Sequence, residues 1–278
     1  MLMCYDAKTR THKKLLITQS NNLVNHQINR MLFLGRRPNQ LMEAIRDKDW
    51  KKVGTLIQHH PRMVKNWSRV KLSAEREAVV MLPLHLAVSM GNGEEECLDA
   101  IEELINVFPG ALGCKESSLK RTPLHLACLQ EHPPAALIEL LLKKHPAATM
   151  QYDHLQRLPL HYACATPKNL GTIEALINVD PEVTELRDGQ GWLPLHVACH
   201  YECDLDTVQL LLHTNPDAVI ALTPLDGELP YDLVNKHPHY KDKHEIMDLL
   251  KAKERYYVPT PRPFMDSFVT DNLIHPIY

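Results

Sequence analysis

Leu82-Pro83-Leu84-His85, Thr122-Pro123-Leu124-His125, Leu158-Pro159-Leu160-His161 and Leu193-Pro194-Leu195-His196 are four copies of one tetrapeptide. Leu229-Pro230-Tyr231-Asp232 is a degenerate fifth copy. Their prolines are 40, 36, 35 and 36 residues apart. A second series, Pro61, Pro109, Pro146, Pro181 and Pro216, runs in phase with the first, its last three intervals being 37, 35 and 35. Self-similarity at such a period marks a chain built by stacking one small unit many times. The two series hold 10 of the 20 prolines and explain why Pro outnumbers the 10 Gly.

Each series has its own physical task. A proline fits the first turn of a helix, where its missing N–H has no intrahelical partner anyway. The Pro of the tetrapeptide is therefore read as a helix start. Between the two series lie apolar residues at helical spacing, such as Leu137, Leu140, Leu141 and Leu142. The second Pro follows Phe108, His145, Asp180 or Asn215 and is read as a helix stop, because the residue before Pro is pushed out of the α region. From stop proline to next start proline is 13–14 residues in the later units. That is room for a loop and a short hairpin, with Asp188-Gly189 and Asp226-Gly227 as turn signals.

One unit is thus a short helix, a turn, a longer helix and a projecting finger. This resembles the ankyrin repeat, whose signature includes Thr-Pro-Leu-His-x-Ala. Here the extensions read His85-Leu86-Ala87, His125-Leu126-Ala127-Cys128, His161-Tyr162-Ala163-Cys164 and His196-Val197-Ala198-Cys199. The resemblance implies an all-α-dominated solenoid of about six units with short β-hairpin fingers. It also departs from the pattern. The units exceed the family's period, and Leu stands at 82, 158, 193 and 229, leaving Thr122 alone to supply an N-cap hydroxyl worth about 1 kcal/mol.

The expected units lie near residues 39–70, 78–117, 118–153, 154–188, 189–223 and 224–256. The first lacks the tetrapeptide but keeps two apolar helix faces, Leu41, Met42, Ala44 and Ile45, then Val53, Leu56 and Ile57. It is read as an N-terminal cap, and its finger carries an insertion of about eight residues on the helix-start spacing. A separate excess of four residues falls near Gly91–Glu96. The charged stretch 241–256 suits a polar end cap. Residues 257–278, with four prolines and no periodicity, form a Pro-rich extended tail.

Charge is uneven. Residues 1–38 carry seven Lys/Arg and one Asp, whereas the whole chain has a formal charge of −3. This predicts a basic, flexible arm on an acidic body. Residues 7–42 contain no acid, which also fits an organellar transit peptide. An acidic body argues against reading duplex DNA. No apolar run reaches the roughly 18–20 residues of a membrane span. Seven cysteines without a CxxC pair point to a reduced cytoplasmic or nuclear protein. The chain is expected to be monomeric.

The structural motif residues are Pro83, His85, Thr122, Pro123, His125, Pro159, His161, Pro194, His196 and Pro230. Each His lies just inside a helix start, where its ring can bond nearby backbone. In the resembling family this His knits neighbouring hairpins. Cys128, Cys164 and Cys199 read as small buried apolar residues. His196, Cys199, His200 and Cys203 are all types that can bind zinc. Residues 196–200 are helical, however, so four ligands could not converge without breaking that helix. No metal and no cofactor is expected. The chain has no GxSxG, P-loop, HExxH or GxGxxG, so no enzyme is predicted. The acids from Glu94 to Glu103 read as a solvated helix start.

Binding is what the resemblance implies. In ankyrin-like arrays fingers and inner helices line a concave face, and the residue before Thr/Leu-Pro projects from the finger. That row is Met81, Arg121, Arg157, Trp192 and Glu228, and the next includes Tyr201. Arg and Trp are frequent interface hot spots. A partner groove is expected around Arg121, Arg157, Trp192 and Tyr201; the alternative is that Trp192 and Tyr201 only pack between fingers. The expected function is a non-catalytic scaffold or adaptor for a protein partner. The rival is a substrate-targeting or regulatory subunit of a ubiquitin ligase, kinase or phosphatase complex.

Overall fold

A computed structural model describes residues 32–33, 39–71, 78–167 and 169–256. The expectations for the arm, apart from residues 32–33, and for the tail therefore lie outside the described residues. The cap is α1 (Gln40–Arg46) and α2 (Trp50–His59). Next come α3 (Pro83–Met90) with α4 (Glu95–Val107), α5 (Pro123–Cys128) with α6 (Ala135–Lys144), and α7 (Pro159–Cys164) with α8 (Leu170–Val179). The last pairs are α9 (Pro194–His200) with α10 (Leu205–Thr214), and α11 (Pro230–Asn235) with α12 (Lys243–Tyr256).

The start prolines of all five tetrapeptides occupy the first turn of the short helix. Short helices stack on short ones and long on long, from one unit to the next. The short helices of the middle units are buried all round, every residue of α5 and α7 being covered. Such helices cannot stand alone; they persist because neighbours cover both sides. Leu84, Leu124, Leu160 and Leu195 occupy the same place in four units and form one continuous core. The four-residue excess is spread over longer helices: α3 has 8 residues and α4 has 13, against 6 and 10 in α5 and α6.

The stop prolines do more than end a helix. Each opens a short 3-10 turn: Pro61–Lys65, Pro109–Gly113, Pro146–Met150, Pro181–Thr184 and Pro216–Ile220. The residue before Pro lies outside the α region, for example His145 at φ −150° and ψ 74°. It breaks the α path, and the proline then begins a new helical turn without needing its N–H. The fingers also differ among themselves. Among the described residues, strands occur only at the first, where β1 (Leu32–Phe33), β2 (Ser68–Lys71) and β3 (Val79–Met81) form an antiparallel sheet in the order β1-β2-β3. The inserted residues 72–77 lie outside the described ones.

The next three fingers are turns closed by side-chain carboxylates. Asp153 Oδ1 accepts the Leu155 and Arg157 N–H groups, both at 2.8 Å. Asp188 Oδ1 likewise accepts from Gln190 and Trp192, both at 2.9 Å. Glu116 serves the second finger, accepting from Leu119 at 2.8 Å. Each turn then needs one left-handed residue: Lys120, Gln156, Gly191 and Gly227 have φ of 58°, 55°, 77° and 63°. At Gly191 a side chain is excluded twice over, since a Cβ would lie 2.3 Å from Pro224 Cγ of the next finger.

Candidate functional site

The repeated His residues hold the fingers in place. Nδ1 of His125, His161 and His196 accepts the N–H of the residue before its proline, at 3.2, 3.2 and 3.1 Å. The ring thus satisfies the N-cap residue's own N–H, the half of a capping box that the N3 side chain supplies. At Thr122 the hydroxyl adds its own bond to His125 Nδ1, at 2.7 Å. The other nitrogen reaches forward. Nε2 of His85, His125, His161 and His196 donates to the carbonyls of Cys114, Arg157, Trp192 and Ala221, at 3.0, 3.0, 3.1 and 2.8 Å. Burial lowers the pKa of all four imidazoles to about 4, so they are neutral near pH 7.

A groove of about 480 Å³ opens between the last two units, with Arg157 of the preceding unit in its lining. One wall carries Trp192 and, at the end of α9, His200 and Tyr201. The facing wall comes from Leu225 and Glu228 on the last finger and from Lys236 and His237 beyond α11. His200 is the hinge of the first wall, edge-on to Trp192 at 5.1 Å, to Tyr201 at 5.0 Å and to His237 at 5.6 Å. At the rim, His237 Nδ1 lies 3.0 Å from Glu202 Oε1, and Lys236 pairs with Glu228. Leu225 is 70% exposed, an apolar side chain that the protein itself leaves uncovered.

Four residues of the expected set, Arg157, Trp192, Tyr201 and Glu228, come together here. Trp192 and Tyr201 are only partly buried, packing against the core while also lining the groove. Burial pushes the Tyr201 phenol up to about 12, and its hydroxyl has no hydrogen-bond partner among the described residues. The expectation that the whole row projects from the fingers needs correction. Met81 is buried in β3. Arg121 is buried, its Nε 3.3 Å from Glu116 Oε1. Arg157 is buried too, its Nε 3.3 Å from Asp188 Oδ2 of the following finger. The cause is the same carboxylates that close the turns, because they sit where a guanidinium can reach them.

The residues that close the turns recur at one place in the unit. Glu116, Asp153, Asp188 and Thr223 each stand seven residues after their stop proline. Thr223 does the equivalent work in the last finger, accepting the Glu228 N–H at 2.9 Å. His237 and Lys236 carried no such marker, since they follow the one tetrapeptide that has decayed. Around Glu94–Glu103, the acids meet basic neighbours, with Lys51 to Glu96 at 3.1 Å and Lys144 to Glu102 at 2.7 Å. No helix among the described residues is long and apolar enough to cross a membrane.

Residues 84–185 and 135–221 match the family described as ankyrin repeats (3 copies). No curated protein matches the chain. Ankyrin repeats are generally protein–protein interaction modules and typically non-catalytic. With its helix-start prolines, finger-binding histidines and stacked helix pairs matched by that family, the chain is an ankyrin-repeat protein.

Proposed function

We propose that this chain is a non-catalytic adaptor or scaffold that holds a protein partner in the concave groove between its last two units. The observation that supports it is the groove itself. Trp192, Tyr201 and Leu225 present apolar surface there, framed by the Lys236–Glu228 and His237–Glu202 pairs. An apolar centre with a polar rim is the anatomy of a protein-recognition surface. Arg157 underlies this centre instead of projecting beyond it. Met81 and Arg121 take the role of finger packing.

The test is comparative affinity purification from the native cell, using wild type and a variant with Trp192→Ala and Tyr201→Ala. Both are expected to melt within a few degrees of each other. Loss of a specific partner from the variant supports the groove; retention of every partner removes it. A ubiquitin ligase, kinase or phosphatase among the lost partners would turn the adaptor into a targeting subunit.

A further inference from the structure

Arg157 is a charge in an unusual position. It is 8% exposed, yet it lines the groove, and only Nε among its side-chain donors is engaged, by Asp188. A guanidinium presents five N–H donors in a planar fork. The two terminal nitrogens make no hydrogen bond to any described residue. Beside it in the groove wall lies Tyr201, whose buried hydroxyl is likewise without a partner among the described residues. Of these, the Tyr201 hydroxyl is a buried donor left unmade, which costs stability, whereas the Arg157 charge is paired with Asp188 and lies 5.8 Å from the Tyr162 ring. An orphaned hydroxyl and a guanidinium whose terminal nitrogens no described residue engages, both lining one groove, point to an acceptor that is supplied from outside.

The chemistry of that acceptor is constrained. A cation would meet the Arg157 charge. A phosphate would bring roughly two negative charges beside Glu202, Asp226 and Glu228 of the lining. A single carboxylate brings about half that charge, and Lys236 already pairs with Glu228. Carboxylates also match the guanidinium fork geometrically. Resting on the groove reading above, we propose that the partner enters as an extended segment bearing an Asp or Glu side chain. Its carboxylate accepts from the terminal nitrogens of Arg157 and from the Tyr201 hydroxyl. An adjoining apolar residue lies against Trp192 and Leu225.

The experiment is selection of random peptides displayed on phage against the full chain, followed by titration of the best one. Display as an internal fusion leaves no free C-terminus, so any acid selected is a side chain. The expected consensus has Asp or Glu at one fixed position next to an aliphatic or aromatic residue. Made with acetylated and amidated ends, the peptide should lose about tenfold or more in affinity when that acid becomes Gln or Asn. Tyr201→Phe should weaken it about threefold to tenfold, with the melting temperature unchanged. A consensus without an acid, a basic residue at its place, an amide peptide that binds equally well, or no enrichment over Trp192→Ala would overturn the proposal. Peptides that lack an acid but depend on Trp192 leave the groove reading standing and remove the carboxylate alone. Partners that persist on the double alanine variant remove the groove.

Discussion

The interior units and the last unit solve the same problem with different residues. In α5, α7 and α9 an imidazole caps the helix with one nitrogen and grips the next finger with the other. In α11 the corresponding residue is Asp232, whose Oδ2 accepts the Leu229 N–H at 3.0 Å. An ionised carboxylate only accepts, so it can cap but cannot donate to a carbonyl beyond. Among the described residues nothing follows α12 as a further finger. The difference teaches that the tetrapeptide carries two separable functions: proline and cap make the helix, and the imidazole makes the array.

Acid should break the interior first, and this is the largest expected effect. The four rings have folded pKa values of about 4 against an ordinary value of 6.5. Below pH 6.5 the unfolded chain takes up protons that the folded chain refuses, so stability present above 6.5 is lost as pH falls toward 4. Linkage puts the loss at about 3 kcal/mol per ring. Helical circular dichroism and melting temperature should fall steeply over pH 6 to 4; a flat profile there would contradict the buried neutral rings.

Leu160→Ala, in the interior core, is expected to cost about 2–5 kcal/mol in denaturant unfolding. A loss under about 0.5 kcal/mol would contradict its place in the core. His161→Ala strands the Leu158 N–H and the Trp192 carbonyl, and should cost about 2–4 kcal/mol. Asp232→Ala removes a cap alone and should cost about 1 kcal/mol. Equal costs for these two would erase the contrast between interior and end. The smallest effect belongs to Tyr201→Phe, expected within about 0.5 kcal/mol of wild type because its hydroxyl bonds nothing. A marked destabilisation would show that the hydroxyl has a structural partner after all.

The two proline series carried most of the fold, because a missing N–H has few places where it costs nothing. At Pro109, Pro146, Pro181 and Pro216 the sequence shows a helix stop and no more. A residue that ends one helix is equally suited to begin another turn, and only the structure shows both. The site was less legible. Position along the finger placed Arg121 and Arg157 in one row, but not the carboxylates that draw them inward. Asp188 lies 31 residues from Arg157 in sequence, a partner set by stacking. Trp192 and Tyr201 were found by their place in the unit, whereas His237 and Leu225 became visible only when the last two units closed around a common space.

The histidine links all point one way along the chain. Each acceptor lies 29, 32, 31 or 25 residues C-terminal to its donor. During synthesis, then, every imidazole is made before the carbonyl it will hold, and each helix pair waits for the finger that follows it to leave the ribosome. A premature stop should therefore damage more than it deletes. The last complete unit keeps its helices but loses its anchor, so disorder reaches back one repeat from the cut. Deletion from the other end strands carbonyls, which water can satisfy, and the injury should stay local.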